Sequence, residues 1–197
     1  CCQGSPGGTT DSSSGVRSLG SSVPRAMKHN IGVAIAIPAP YADELEAWRE
    51  HFGDPQAHTI QAHVTLLPPT ALADLDPVID HLQAVARRHE PFEVELRGTG
   101  TFRPLSPVVY VRVAAGAQPI TTLERDVRSG PLARKLRFDF HPHVTVAQDV
   151  PDETLVGAQR TLADYAAAFT VGAITLYEMG SDHVWSPMQH FPLGVAA

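Results

Sequence analysis

Short apolar runs and helical stripes alternate along the chain, and their order predicts five elements in the first half. The run 31–37 is apolar and rich in β-branched residues, which is typical of a buried strand. Leu45, Trp48 and Phe52 recur at helical spacing, and Gly53 favours a helix end after them. The elements are predicted in the order strand, helix, strand, helix, strand, over residues 31–37, 45–52, 63–67, 75–85 and 92–102.

The second half of the chain repeats this order. Its predicted elements are again strand, helix, strand, helix, strand, over residues 108–113, 120–127, 143–147, 151–165 and 169–177. Residues 183–187 and 191–193 add a further edge. The middle strand of each half opens with the same tripeptide, His-Val-Thr. We therefore predict an α+β fold of two lobes related by a pseudo-two-fold axis, in which duplicated β-α-β-α-β units form antiparallel-rich sheets that flank a central cleft.

The first 26 residues differ from the rest in composition. Gly, Ser, Thr and Pro occupy 16 of these positions, and the few large aliphatic residues form no stripe. Such a segment cannot bury enough surface to offset the entropy of ordering it, so we predict a disordered tail followed by one functional domain over 27–197. The tail is interpreted as a cloning remnant or an upstream misread, or as the tether of a processed lipoprotein with lipid on Cys1.

Composition excludes several classes of protein. The chain has 197 residues, with 15 basic against 21 acidic side chains and a net charge of −6, which disfavours a protein that coats long nucleic acid. No apolar run approaches the roughly 18–20 residues of a membrane helix. Cys1 and Cys2 are the only cysteines, so the folded part has no disulfide framework, no zinc-binding CxxC and no thiol nucleophile.

The two His-Val-Thr strands carry the candidate chemistry. Side chains at i and i+2 of a strand face the same side, so His63 lies beside Thr65, and His143 beside Thr145. Phosphodiester transfer needs one group that takes a proton from the attacking oxygen and another that gives one to the leaving oxygen, and histidine suits both roles near neutral pH. The threonine hydroxyls can donate hydrogen bonds to the non-bridging phosphate oxygens. This scheme requires no metal and no cofactor.

These motifs resemble the His-x-Thr/Ser motifs of the 2H phosphoesterase superfamily. The segments HVTLLPP, GTFRP, PHVTVA and FPLG resemble its 2′-5′ RNA ligase-like branch, and the resemblance covers residues 28–195. It implies a bilobal fold with a water-filled cleft, and cyclic phosphodiesterase or 2′-5′ ligase activity on RNA ends or small cyclic nucleotides. Many members of the branch carry a basic residue shortly after the second motif, whereas Ala147, Gln148 and Asp149 stand there in this chain.

Three further residues are predicted to bind substrate. Phe102 and Tyr110 are candidates to stack on a base, and Arg103 is a candidate to hold phosphate. We also expect a cytoplasmic monomer with no membrane attachment and no obligate protein partner.

Two other classes of function remain open from the sequence. A metal-dependent hydrolase would use His63, His141 and His143 as ligands, because His141 and His143 are two residues apart on one strand. A non-catalytic nucleotide- or phosphate-binding module would use the same face without turnover. The pair of titratable imidazoles argues against that module, because binding alone does not need two of them.

Overall fold

A computed structural model describes residues 29–195 as eight strands, four α-helices and one short 3₁₀ helix. The predicted tail, residues 1–26, lies outside the described residues. The strands are β1 (His29–Ala36), β2 (His63–Leu72), β3 (Phe92–Thr101), β4 (Val108–Ala115), β5 (His143–Gln148), β6 (Ala166–Val171), β7 (Ala173–Met179) and β8 (Trp185–Pro192). The helices are α1 (Tyr41–His51), α2 (Asp76–Arg87), α3 (Ala117–Val127) and α4 (Asp152–Thr161), with the 3₁₀ helix at Gly130–Leu132.

All eight strands belong to one antiparallel sheet in the order β6-β3-β4-β5-β2-β1-β7-β8. Its two four-stranded halves meet where β2 lies beside β5, and a single pair, Val64 opposite Val144, joins them. The predicted α+β class and its two lobes are thus confirmed, with the two sheets fused at a narrow central junction.

The strand order is symmetric about that junction. Moving outward from it, β2 corresponds to β5, β1 to β4, β7 to β3, and β8 to β6. The exposure pattern of the first six residues of β2 is the same, position by position, as that of β5. The lobes also exchange strands, because β3 pairs with β4 and β7 pairs with β1. Each lobe therefore depends on both halves of the chain.

One predicted strand is two strands in the structure. The sequence predicts a single strand over residues 169–177, but β6 ends at Val171 and β7 begins at Ala173. The two pair with different partners, β6 with β3 in one lobe and β7 with β1 in the other. Gly172 separates them, and apolar residues continue across it, so hydrophobic periodicity does not mark the break.

The helices cover one face of the sheet at its centre. Val64 and Val144 are fully buried, and helix α1 contacts β5 while α3 contacts β2. Each helix buries a leucine or isoleucine, including Leu45, Leu82 and Ile120. Because neighbouring residues of a strand point to opposite faces, burial of these valines directs the adjacent histidines and threonines to the other face.

No helix within residues 29–195 is both long enough and apolar enough to cross a membrane.

Candidate active site

His63 and His143 line one cavity at the junction of the two lobes. The cavity measures about 360 Å³ and also receives Thr65 and Thr145, so all four side chains of the two motifs meet there. Extending the register of the Val64–Val144 pair sets His63 opposite Thr145 and Thr65 opposite His143. The two histidines are therefore diagonal neighbours across the junction, within reach of a shared ligand.

Both histidines are held in the same way. The Nδ1–H of His63 donates to the carbonyl of Gln61 at 2.7 Å, and the Nδ1–H of His143 donates to the carbonyl of His141 at 2.6 Å. A carbonyl only accepts, so in the neutral rings the proton sits on Nδ1 and the lone pair sits on Nε2. In both lobes the acceptor lies two residues before the histidine, so the duplication extends to the residue that fixes the tautomer.

Burial lowers the pKa of both histidines, because desolvation disfavours the charged imidazolium. It lowers the pKa of His63 from 6.5 to about 4; the Gln61 carbonyl opposes this shift, while the charges of Arg49 and His143 add to it. The pKa of His143 is also lowered, mainly by burial and to a lesser extent by His141, against the opposing bond to the His141 carbonyl. The two imidazoles are therefore unequal, and His63 holds a proton less readily than His143.

The two threonines differ in what they touch. The Thr65 hydroxyl lies 3.1 Å from Nε2 of His63 and donates to it when that nitrogen is unprotonated. The Thr145 hydroxyl forms no hydrogen bond with any of residues 29–195, and its side chain lines the cavity. Thr145 is thus available to a ligand at once, whereas Thr65 must turn away from His63 to reach one.

Arg49 is a cavity residue that the sequence analysis did not identify. It is only 3% exposed, pairs with Asp54 through Nε at 3.1 Å, and donates to the carbonyls of Gln56 and Ile60 at 2.7 Å each. These bonds fix the loop that leads into His63. In the sequence Arg49 lies in a charged stretch that is typical of a solvated helix face, so no pattern marked it as buried.

An aromatic cluster supports the ring of His143. Phe102 meets it edge-on at 4.8 Å between centroids, and Tyr110 lies 5.2 Å from it and 4.5 Å from Phe102. Phe102 also lines the central cavity, so it remains placed for contact with a ligand. Tyr110 is only 7% exposed and faces Gly100, where a Cβ would lie 2.6 Å from its ring. Tyr110 therefore packs within this cluster, and the base-stacking contact predicted for it stays a prediction.

The predicted phosphate ligand Arg103 lies outside the central cavity. It forms an ion pair with Asp152 at 3.6 Å and lines a separate, open depression with Pro104 and Pro107. Gln148, one of the residues that follow the second motif, does line the central cavity.

The three-histidine metal set does not assemble in the structure. His141 and His143 stack with their centroids 6.2 Å apart, and His141 lies in a neighbouring groove instead of the central cavity. Across residues 29–195, no group of three His, Cys, Asp or Glu side chains is placed to hold one metal ion.

The fold is that of a duplicated α+β protein with paired histidine strands at its centre. Residues 37–183 match the model of the 2′-5′ RNA ligase superfamily, and the chain belongs to that family. A protein of Bacillus cytotoxicus that is provisionally named a phosphoesterase is 24% identical over 169 residues, which cover 83% of this chain and 96% of the relative. A similarly named protein of Oceanobacillus iheyensis is 26% identical over 172 residues, covering 83% and 97%.

Solved structures of E. coli LigT share this fold. The complex with 3′-AMP superimposes with a TM-score of 0.62 at 20% identity, covering 85% of this chain and 99% of LigT. The complex with NADP+ gives a TM-score of 0.62 at 21% identity, covering 86% and 100%. At this level of identity the likeness establishes the common fold.

Proposed function

We propose that the protein hydrolyses 2′,3′-cyclic or 2′-5′ phosphodiesters, at RNA ends or in small nucleotides, by two-histidine acid–base catalysis. The observation that carries this proposal is that both imidazoles have Nδ1 bound to a backbone carbonyl and line the same cavity as Thr65 and Thr145. Relatives named as phosphoesterases and crystal complexes of LigT with 3′-AMP, ATP and phosphate support a phosphate ester as the substrate.

We assign the role of general base to His63 and that of general acid to His143, because His63 is the less protonated of the two. The lower pKa of His63 keeps its Nε2 unprotonated, and the buried charge of Arg49 disfavours a proton there. Water attacks phosphorus, forming a P–O bond and giving its proton to His63. The bond from phosphorus to the ribose oxygen breaks, and that oxygen takes a proton from His143. In 2′-5′ ligation the same two histidines act on a different nucleophile: a 5′-hydroxyl attacks the phosphorus of a 2′,3′-cyclic phosphate and gives its proton to one imidazole, while the P–O3′ bond breaks and the 3′-oxygen takes a proton from the other.

In this scheme the threonine hydroxyls donate hydrogen bonds to the phosphate. Negative charge gathers on the non-bridging oxygens as water adds, and a donor aimed at those oxygens stabilises the transition state more than the ground state. Thr145 provides such a donor without giving up another contact. Thr65 exchanges its bond to His63 for one to phosphate, which frees Nε2 of His63 to accept the proton from water.

The dependence of activity on pH follows from the two lowered pKa values. The free enzyme needs neutral His63 and protonated His143, so kcat/KM rises with pH through about 4 and falls as the pH passes the pKa of His143, which lies below 6.5. A bound phosphodiester anion stabilises the imidazolium, so the alkaline limb of kcat lies at higher pH than that of kcat/KM. Steady-state kinetics across this pH range measures both limbs. An alkaline limb of kcat/KM well above pH 6.5 would contradict the assignment.

A panel of substrates tests the function directly. We expect the protein to convert 2′,3′-cyclic nucleotides to monophosphates, or 2′-5′ linked dinucleotides to nucleosides and nucleotides. Chromatography of the products measures this turnover. Rates should be the same with and without EDTA, since neither proton transfer needs a metal. Chelator-sensitive turnover would favour the metal-dependent hydrolase, and tight binding without product would favour the non-catalytic module.

A further inference from the structure

An apolar groove leads out of the central cavity on the His143 side. It measures about 520 Å³ and shares Thr65, Phe102 and His143 with that cavity. Farther out it is lined by Leu105 and Phe138, which are 80% and 62% exposed. We call this the aromatic groove, the surface from His143 through Phe102 to Phe138. Large exposed apolar side chains beside a reactive site are typical of a surface that contacts ligand.

The corresponding space on the His63 side is much smaller. That space, beside Tyr177 and Trp185, measures about 100 Å³. The two lobes are related by pseudo-symmetry at their histidines but not in the surfaces beyond them. A ligand centred on the histidines therefore finds room for a large substituent mainly past His143.

The outer end of the aromatic groove meets a basic segment of the chain. Residues 128–138 contain Arg128, Arg134, Lys135 and Arg137 and no acidic residue, although the chain as a whole carries −6. A second, open depression of about 630 Å³ is lined by these four side chains and by Arg125, against two acidic residues, Glu124 and Asp139, and it shares Phe138 with the groove. Positive charge is thus concentrated on one side of the active site.

Two of these basic side chains are available to a ligand. Arg128 is bound to Glu124, and Arg134 donates to the Thr70 hydroxyl at 2.9 Å. Lys135 and Arg137 are exposed and form no ion pair with any of residues 29–195, and the Arg137 guanidinium lies 5.2 Å from the centre of the Phe138 ring. An aromatic face next to unpaired cations is the combination that binds a single nucleic-acid strand, with bases on rings and phosphates on the charges.

We propose that the aromatic groove and Lys135–Arg137 bind the RNA strand that carries the reacting phosphate. The terminal nucleoside lies in the groove against Phe102, and phosphates on its 5′ side lie against Lys135 and Arg137. This proposal rests on the proposed function and narrows its substrate class from small cyclic nucleotides to oligonucleotide ends. The acidic net charge is compatible with it, because only a few phosphates are bound locally.

The test compares two substrates that carry the same reacting group. One is a 2′,3′-cyclic mononucleotide, and the other is a short RNA oligonucleotide that ends in a 2′,3′-cyclic phosphate. Arg137→Glu should lower kcat/KM for the oligonucleotide on the order of tenfold, and it should make the negative slope of log kcat/KM against log salt shallower by about 0.7. Turnover of the mononucleotide should not change. Arg160→Glu is the matched control, because it reverses the charge of an exposed arginine at the end of α4. It should leave both rates unchanged.

Fluorescence anisotropy with a labelled RNA oligonucleotide separates this proposal from the proposed function. If the protein turns over no substrate, the proposed function fails, and weaker RNA binding by Arg137→Glu than by Arg160→Glu still supports the strand-binding surface. Equal RNA binding and equal oligonucleotide turnover by the two variants would overturn it. The basic segment would then serve another anionic partner, such as an acidic protein surface.

Discussion

His143→Ala and His63→Ala should each lower kcat by about 10² to 10⁴, because each removes one of the two proton transfers. The losses should not add in the double variant, since the two groups act in the same step. Steady-state turnover of a 2′,3′-cyclic nucleotide measures this, with thermal unfolding to show that the variants remain folded. Near-normal kcat in either single variant would exclude two-histidine catalysis.

Two other histidines provide matched controls. His58→Ala removes an imidazole that is 81% exposed and outside the central cavity, and it should leave kcat unchanged.

His141→Ala distinguishes the two-histidine mechanism from a metal-dependent one. The His141 side chain lies in the aromatic groove. The backbone carbonyl of residue 141, which accepts the hydrogen bond from Nδ1 of His143, is kept in the variant. The two-histidine mechanism predicts a small effect on kcat, whereas a metal site with His141 as ligand predicts a loss comparable to that of His143→Ala.

Thr145→Val and Thr65→Val should lower kcat by about 10² to 10³ each, the usual effect of removing one donor to a developing oxyanion. Valine keeps the β-branched shape that suits a strand, so the hydroxyl is the main change. Because the Thr145 hydroxyl has no competing partner among the described residues, Thr145→Val should not shift either limb of the pH profile. Thr65→Val also removes the hydrogen bond to Nε2 of His63, so the acid limb of the pH profile of this variant should shift.

An exposed strand threonine controls for the substitution itself. Thr170 lies on edge strand β6, where its hydroxyl bonds to Glu93, and Thr170→Val should change kcat by less than about twofold. If Thr145→Val and Thr65→Val behave like this control, the hydroxyls do not bind the transition state and the proposed role for them is wrong.

The arrangement of the motif residues could be predicted because strands impose a strict alternation. Once His63 and Thr65 are placed on one strand, they share a face, and the buried Val64 defines the other face. The repetition of this tripeptide in a second half with the same order of elements then indicated a paired site. The cavity that receives His63, Thr65, His143 and Thr145 has the composition expected from those local rules.

The placement of the other candidate residues was harder to predict, because it depends on residues distant in sequence. Tyr110 and Arg103 have the side chains to bind a nucleotide, but packing against Gly100 buries the first, and the second lies outside the central cavity, where it pairs with Asp152. Arg49 shows the converse. It is a charged residue on a polar helix, yet it is buried, because its guanidinium pairs with Asp54 and donates to backbone carbonyls in the following loop. Such pairings are not visible in periodicity.

Local patterning sufficed for the strands, the helices, the duplication and the shared face of each histidine with its threonine, because these follow from the geometry of neighbouring residues. Tertiary structure decided which strands pair, where β6 parts from β7, the unequal pKa values of His63 and His143, and the groove beside only one of them. Those properties depend on burial and on charges brought together from distant segments, and solvent exclusion at a site is set only when the whole chain has packed.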